Sequence, residues 1–456
     1  MALHLLRSGL ESQHFSSHYG FDFGALKRCY GWYPRTLKEI QDWHAPFVQI
    51  AVDLGKTATA FGAQARAILG EAFRGLWGNA QMSGELTDAA RELAPVNGWP
   101  DGWLGIRNTL HFDRGHIDPA SLDKLESLEK QLSPRDLRAK LQAKVLSSGS
   151  FGVDLDDDFE PDSSTDWHVK AHAEVTALGK AAAQDADDML ADLAPFVSIK
   201  NTTNKVRCFG IGVGQASRSV QQIIERLRPL VEHPPTDGFD LQFIHGLING
   251  WNQIKPDEVS AFLDEAVEDE IWGALFPSLQ LAIELDQAGY LRLIKSLEVG
   301  RASCRAYTNL GCGRRTDPLT VRQVSTLLSQ LATKPDGGLP AAIDVLCMVR
   351  HCTDTKDEHY KTELQAYCLK FVGDLDWSLI DFANDNLLHH LVEIIKFALD
   401  SKGPQEAAVK TISRLIQQEH SGQRRIPRRL GKVLLPFFFE VPGRDFGCCL
   451  YQEQAH

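Results

Sequence analysis

The sequence predicts an all-α protein, with antiparallel helix pairs stacked as an irregular HEAT/TPR-like helical array. Three observations carry this. From about Ala60 to Gln418, apolar residues recur at three- and four-residue spacing, broken by short polar or Gly/Pro stretches. Almost no segment alternates as a strand does. Helix pairs recur about every 35 to 45 residues, the spacing of helical-repeat units, though no strict consensus repeats.

Residues 1–58 read as an irregular N-terminal cap rich in aromatics and histidine, including His14, Phe15, Tyr19, Phe21, Phe23, Tyr30 and Trp32. Residues 59–146 form a first helical block. Ala65, Leu69, Ala72, Phe73 and Leu76 make one stripe, which Gly78-Asn79 can end. A short helix follows over about Gly84 to Leu93. Pro100-Asp101-Gly102 reads as a turn before a helix over Trp103–Leu110, with Asp101 as N-cap. Helices near Ser121–Leu132 and Pro134–Val145 come next, the second with Ser133 as N-cap and Pro134 at its first position.

Residues 147–166 break the pattern. They are dense in Asp, Ser and Gly and read as an acidic flexible linker or loop. Asp154, Asp156 and Asp158 alternate, but the glycine and closing Glu of an EF-hand loop are missing, so a solvated acidic loop is expected. Residues 167–420 form a second helical-repeat block. Its clearest stripes are Tyr360-Leu364-Tyr367-Cys368-Phe371, Leu387-Leu391-Ile394-Ile395-Ala398 and Ala408-Ile412-Leu415-Ile416. Residues 421–456 form a basic and apolar tail.

Composition narrows the classes. Hydrophobic residues make up 43% and charged residues 24%, which suits a folded chain with a sizeable core. The net charge of -12 argues against a general nucleic-acid binder. Nine irregularly spaced cysteines suit a reducing compartment, and a cytoplasmic location is expected. The longest apolar runs, such as Val433 to Phe439, fall far short of the roughly 20 residues that span a bilayer.

Candidate chemistry is sparse. His111, Asp113, His116 and Asp118 lie within eight residues and could ligate a divalent metal, as in a metal-dependent hydrolase or nuclease. The competing reading is an interhelical loop in which Asp118-Pro119 opens the next helix. Cys347, His351, Cys352 and His359 form a second cluster, but without CxxC spacing, and Cys347 falls in an apolar stretch. Gly210, Gly212 and Gly214 are too closely spaced for a GxGxxG phosphate loop and read as close helix packing or a loop. No GxxxxGK[ST] loop, GxSxG elbow, HExxH helix or kinase signature occurs, and no cofactor is expected. Two arginine clusters could contact a protein partner or nucleic acid: Arg314 and Arg315 with Arg301 and Arg305, and Arg424, Arg425, Arg428, Arg429 and Lys432 in the tail.

Ala65 to Leu69 through Phe73 to Trp77, then Gly98 to Trp103, and later Phe276 to Gln280 with Arg292-Leu293 and Ser296-Leu297, resemble the helical C-terminal regions of bacterial STAND-type NTPases and related antiphage conflict-system proteins. The resemblance implies a sensor or scaffold coupled to an effector or NTPase subunit. The chain departs from those proteins in lacking a P-loop. The expectation is a non-catalytic helical scaffold or sensor that mediates protein–protein interaction, with a metal-dependent hydrolase or a nucleic-acid-binding scaffold as alternatives.

Overall fold

The computed structural model describes residues 2–11, 17–22, 25–30, 34–95, 98–146, 166–185, 189–199, 204–376, 379–381 and 383–399. Most of 147–166, the stripe beginning at Ala408 and the tail with Arg424, Arg425, Arg428, Arg429 and Lys432 lie outside the described residues. The chain divides into two compact units, Met1–Ile254 and Lys255–His456. The predicted acidic junction therefore falls inside the first unit and does not separate the two. No described helix is long and apolar enough to cross a membrane.

The fold is all-α, apart from one small hairpin. The N-terminal unit opens with α1 (Ala2–Leu10), then strands β1 (Ser17–Asp22) and β2 (Ala25–Tyr30). The strands pair antiparallel, with Ser17 opposite Tyr30 and Asp22 opposite Ala25. Then comes α2 (Leu37–Gly55), opened by a capping box between Thr36 and Glu39. The head expected to be irregular thus contains two helices and a hairpin. Pro46 lies inside α2, where a proline forfeits one helical hydrogen bond and breaks the helical signal.

The next helices are α3 (Ala60–Gly78), α4 (Ser83–Leu93), α5 (Pro100–Asp113), α6 (Pro119–Leu132) and α7 (Leu137–Lys144). Ala65, Leu69, Phe73 and Leu76 are fully buried, as the stripe on α3 requires, in one core with Leu86, Leu93, Trp103 and Leu128. Two caps differ from expectation. Helix α5 starts at Pro100, so Asp101 is its second residue and Trp99 is the N-cap, in a left-handed conformation with φ 44°. The buried Trp99 indole donates to the Arg66 carbonyl at 3.0 Å, and its ring lies where a Cβ on Gly102 would be. Together these contacts hold a backbone conformation that is costly for a bulky residue. Asp136, not Ser133, caps α7, accepting from the Ala139 N–H at 2.8 Å. Ser133 instead closes α6.

The unit continues with α8 (Asp166–Gln184), α9 (Ala194–Val197), α10 (Asn204–Ala216), α11 (Val220–Glu232) and α12 (Gln242–Ile254). The GxGxG run lies in the middle of α10 and gives that helix two glycine faces. Gly210 and Gly214, one turn apart, meet the Phe243 and Leu247 carbonyls of α12. Gly246 and Gly250 of α12 meet the Arg207 and Ile211 carbonyls in return. Gly212 faces the other way, against the Thr176 carbonyl of α8, beside Gly179. A Cβ at any of these positions would overlap backbone of the neighbouring helix. The reading as close helix packing holds, and a phosphate loop is excluded because the glycines are helical and spent on backbone contact. Phe196, Phe209 and Phe243 add a ring cluster, with centroids 4.8 and 5.5 Å from Phe196.

The C-terminal unit contains α13 (Pro256–Ala266), α14 (Trp272–Gln280), α15 (Gln287–Val299), a 3-10 segment (Cys304–Gly311), α16 (Val321–Ala332), α17 (Gly338–His351), α18 (Glu358–Asp374) and α19 (Asp385–Leu399). Leu364, Cys368 and Phe371 of α18, and Leu387, Leu391, Ile394, Ile395 and Ala398 of α19, are buried as their stripes require. Tyr307 donates or accepts at 2.7 Å with Ser296, and burial pushes its phenol up to about 12. Several interhelical hydrogen bonds in both units join residues 32 to 43 positions apart, among them Thr176–Cys208, Gln215–Gln253, Gln287–Gln323, Ser329–Tyr367 and Arg350–Glu393, whereas Trp103–Glu129 and Arg292–Asp264 span 26 and 28.

Candidate functional site

The His111 to Asp118 segment is the end of α5 and the 3-10 turn after it, as the loop reading expects. Asp113 receives two parallel hydrogen bonds of 2.8 Å from Arg74 of α3. Asp118 caps α6, accepting from the Ala120 and Ser121 N–H groups at 3.1 and 3.0 Å. A hydrogen bond from the Ser121 side chain, then those backbone bonds, hold its carboxyl below the usual range. His111 sits edge-on to Phe112 at 4.6 Å. Partial burial, then the nearby Arg107 and Arg74 charges, lower its pKa. Both carboxylates are thus committed to cations or backbone donors. Among the described residues no group of three or more His, Cys, Asp or Glu is arranged to hold a metal ion.

The second cluster disperses as well. Cys347 is buried in the core of its unit, and burial raises its thiol pKa. His359 pairs with Glu363 along α18 at 3.3 Å. Arg314 is structural. It takes φ 59° after Gly313, binds Asp317 at 2.7 Å and donates to Thr355, which ties its turn to the 3-10 turn Cys352–Thr355. Arg315 lies beside it, half-buried.

What the sequence did not reveal is a cleft of about 880 Å³ beside the His111 to Asp118 segment. Helix α1 supplies Arg7, and Glu11 follows its last residue. Helix α3 supplies Glu71, Arg74, Gly75 and Gly78 from one face. Helix α5 and its turn supply Asn108, Asp113 and His116. Position 78 is helical, and a Cβ there would meet nothing within 4 Å, so the missing side chain leaves the space open. Arg7 pairs with Glu71 at 2.9 Å, and the Arg74 guanidinium also covers the Phe112 ring at 4.7 Å. Asn108 has its side-chain oxygen shielded from solvent with no hydrogen-bond partner. The spacing of Glu71 and Arg74 was legible as a one-turn charge pair. Arg7 was hidden in a head read as irregular, and nothing in the sequence singles out Asn108.

A second cleft of about 450 Å³ in the same unit is lined by Arg66, Asp101, Asp136, Arg138, Gln142 and Phe196, among others. Burial pushes the Asp101 carboxyl up to about 6, although Arg66 and Gln142 oppose the shift. Arg66 itself donates to the Gly55 and Thr57 carbonyls at 2.5 and 3.4 Å, closing the end of α2. Arg66 and Asp136 stabilise helix ends, and nothing among the lining groups forms a nucleophile–base pair.

No protein-family model, curated protein or solved structure matches this chain.

Proposed function

We propose that the protein is a non-catalytic helical scaffold or sensor subunit that mediates protein–protein interaction. Its partner would be an effector or NTPase subunit, in the cytoplasm, within a prokaryotic antiviral defence complex. The observation that carries the reading is the fate of the candidate chemistry: Asp113 and Asp118 are committed to Arg74 and to a helix cap. The interhelical bonds between residues 32 to 43 apart support a HEAT/TPR-like array, whose function is characteristically a surface. Apolar side chains on the first unit offer contact area: Ile50 and Leu54, one turn apart on α2, and Phe61 are 47%, 37% and 62% exposed. The defence setting rests on the resemblance of the helical stretches alone.

The test is co-purification of the untagged chain from its native source, alongside variants. Ile50→Asp with Leu54→Asp should lose a stoichiometric protein partner, whereas His111→Ala with His116→Ala should retain it. The reverse pattern would contradict the proposal. Binding to DNA or RNA that falls steeply with salt would favour the nucleic-acid alternative.

A further inference from the structure

We infer that the cleft between α1, α3 and α5 binds a small zwitterion, a molecule carrying both an ammonium and a carboxylate. The charges in the cleft carry the argument. Along α3, Glu71 and Arg74 place a negative and a positive charge one helical turn apart. Each is matched across the cleft by a group of opposite sign, Arg7 for Glu71 and Asp113 for Arg74. The cleft is therefore bipolar. An anion that approached Arg7 and Arg74 would meet Glu71, Asp113 and Glu11, and a simple cation would meet the two arginines. A molecule with both charges satisfies both halves.

The four paired side chains are also available to a ligand. They are 30% to 52% exposed, and each guanidinium has more donors than its partner uses. Arg74 directs Nε and one terminal nitrogen at Asp113, which leaves its other terminal nitrogen for a ligand carboxylate.

The volume suits a free amino acid or a short peptide bearing both termini, within the range of small-molecule sites. This inference is independent of the scaffold reading: the site can fill with no protein partner present, and a partner can bind with the site empty.

The experiment is a thermal-shift and calorimetric screen of the full chain against millimolar free amino acids and Gly-Xaa dipeptides. Each compound is paired with its N-acetyl derivative, which lacks the ammonium, and its amide, which lacks the carboxylate. At least one zwitterion should raise the melting temperature, with a rise that grows as the logarithm of its concentration above Kd, and its two single-charge derivatives should bind about tenfold or more weakly. Arg74→Ala should weaken binding by a similar factor. Gly78→Leu is the control for folding, because it fills open space on a helix and touches no charge. It should melt normally and bind nothing. The inference is overturned if no member of the panel binds, if an N-acetyl or amide derivative binds equally well, or if binding survives Gly78→Leu.

Discussion

Arg74 and Asp113 are joined by two parallel 2.8 Å hydrogen bonds that tie α3 to the last residue of α5. The pairing takes the best-placed carboxylate of the His111 to Asp118 segment away from metal chemistry. Total metal analysis should therefore find no stoichiometric zinc or manganese in the purified protein. Because both side chains are partly exposed, Asp113→Asn should cost only about 0.5–1 kcal/mol in denaturant unfolding. A bound metal lost in Asp113→Asn would contradict this assignment.

The glycine contacts between α8, α10 and α12 make a sharper claim. Gly212→Ala or Gly250→Ala places a Cβ against a neighbouring backbone carbonyl that cannot turn aside. Each should cost about 2–3 kcal/mol, read as a fall in the denaturant midpoint. Gly78→Ala, with nothing near its Cβ, should be neutral or stabilise by about 0.5 kcal/mol through helix propensity. Equal effects at the two kinds of site would refute the close packing.

Asp101 predicts a pH dependence. Its folded pKa, about 6, lies above the ordinary carboxylate value because burial disfavours the charged form. A group raised in this way contributes stability fully below about pH 4 and loses it as pH rises through about 6. The wild type should therefore lose on the order of 2 kcal/mol relative to Asp101→Asn between pH 4 and pH 7. A difference that does not change with pH would show that the carboxyl ionises normally.

Gln280 is fully buried, and neither its side-chain oxygen nor its nitrogen has a hydrogen-bond partner. Leaving an amide unpaired in the core costs roughly 1–3 kcal/mol. Gln280→Met keeps the length of the side chain and removes the polar atoms, so it should raise thermal stability by about 1 kcal/mol or more. Destabilisation would mean that the amide is satisfied in solution.

The helical periods were legible because burial on one face writes them directly into the sequence. Leu364, Cys368, Leu391 and Ile395 are buried where their stripes put them. The GxGxG run was legible as packing, but its division between two neighbours was not, since a helix turns Gly212 away from Gly210 and Gly214. Caps were harder to place. Asp101 and Ser133 are good capping residues that lost to Trp99 and Asp136, because tertiary contacts of the Trp99 indole decided where α5 begins. The cleft was the least legible feature. It depends on Arg7, on Glu71, and on Asn108 with Asp113, three stretches far apart in sequence and brought together only by the packing of three helices.

A scaffold or sensor subunit, as proposed, functions through its surface and in company. The most direct measurement is sedimentation velocity of the untagged chain isolated gently from its native source, with the composition of each boundary read by mass spectrometry. The expected result is a boundary heavier than one chain, containing a second polypeptide in fixed ratio. A single boundary at the mass of one chain, unchanged by concentration and containing no other polypeptide, would contradict it.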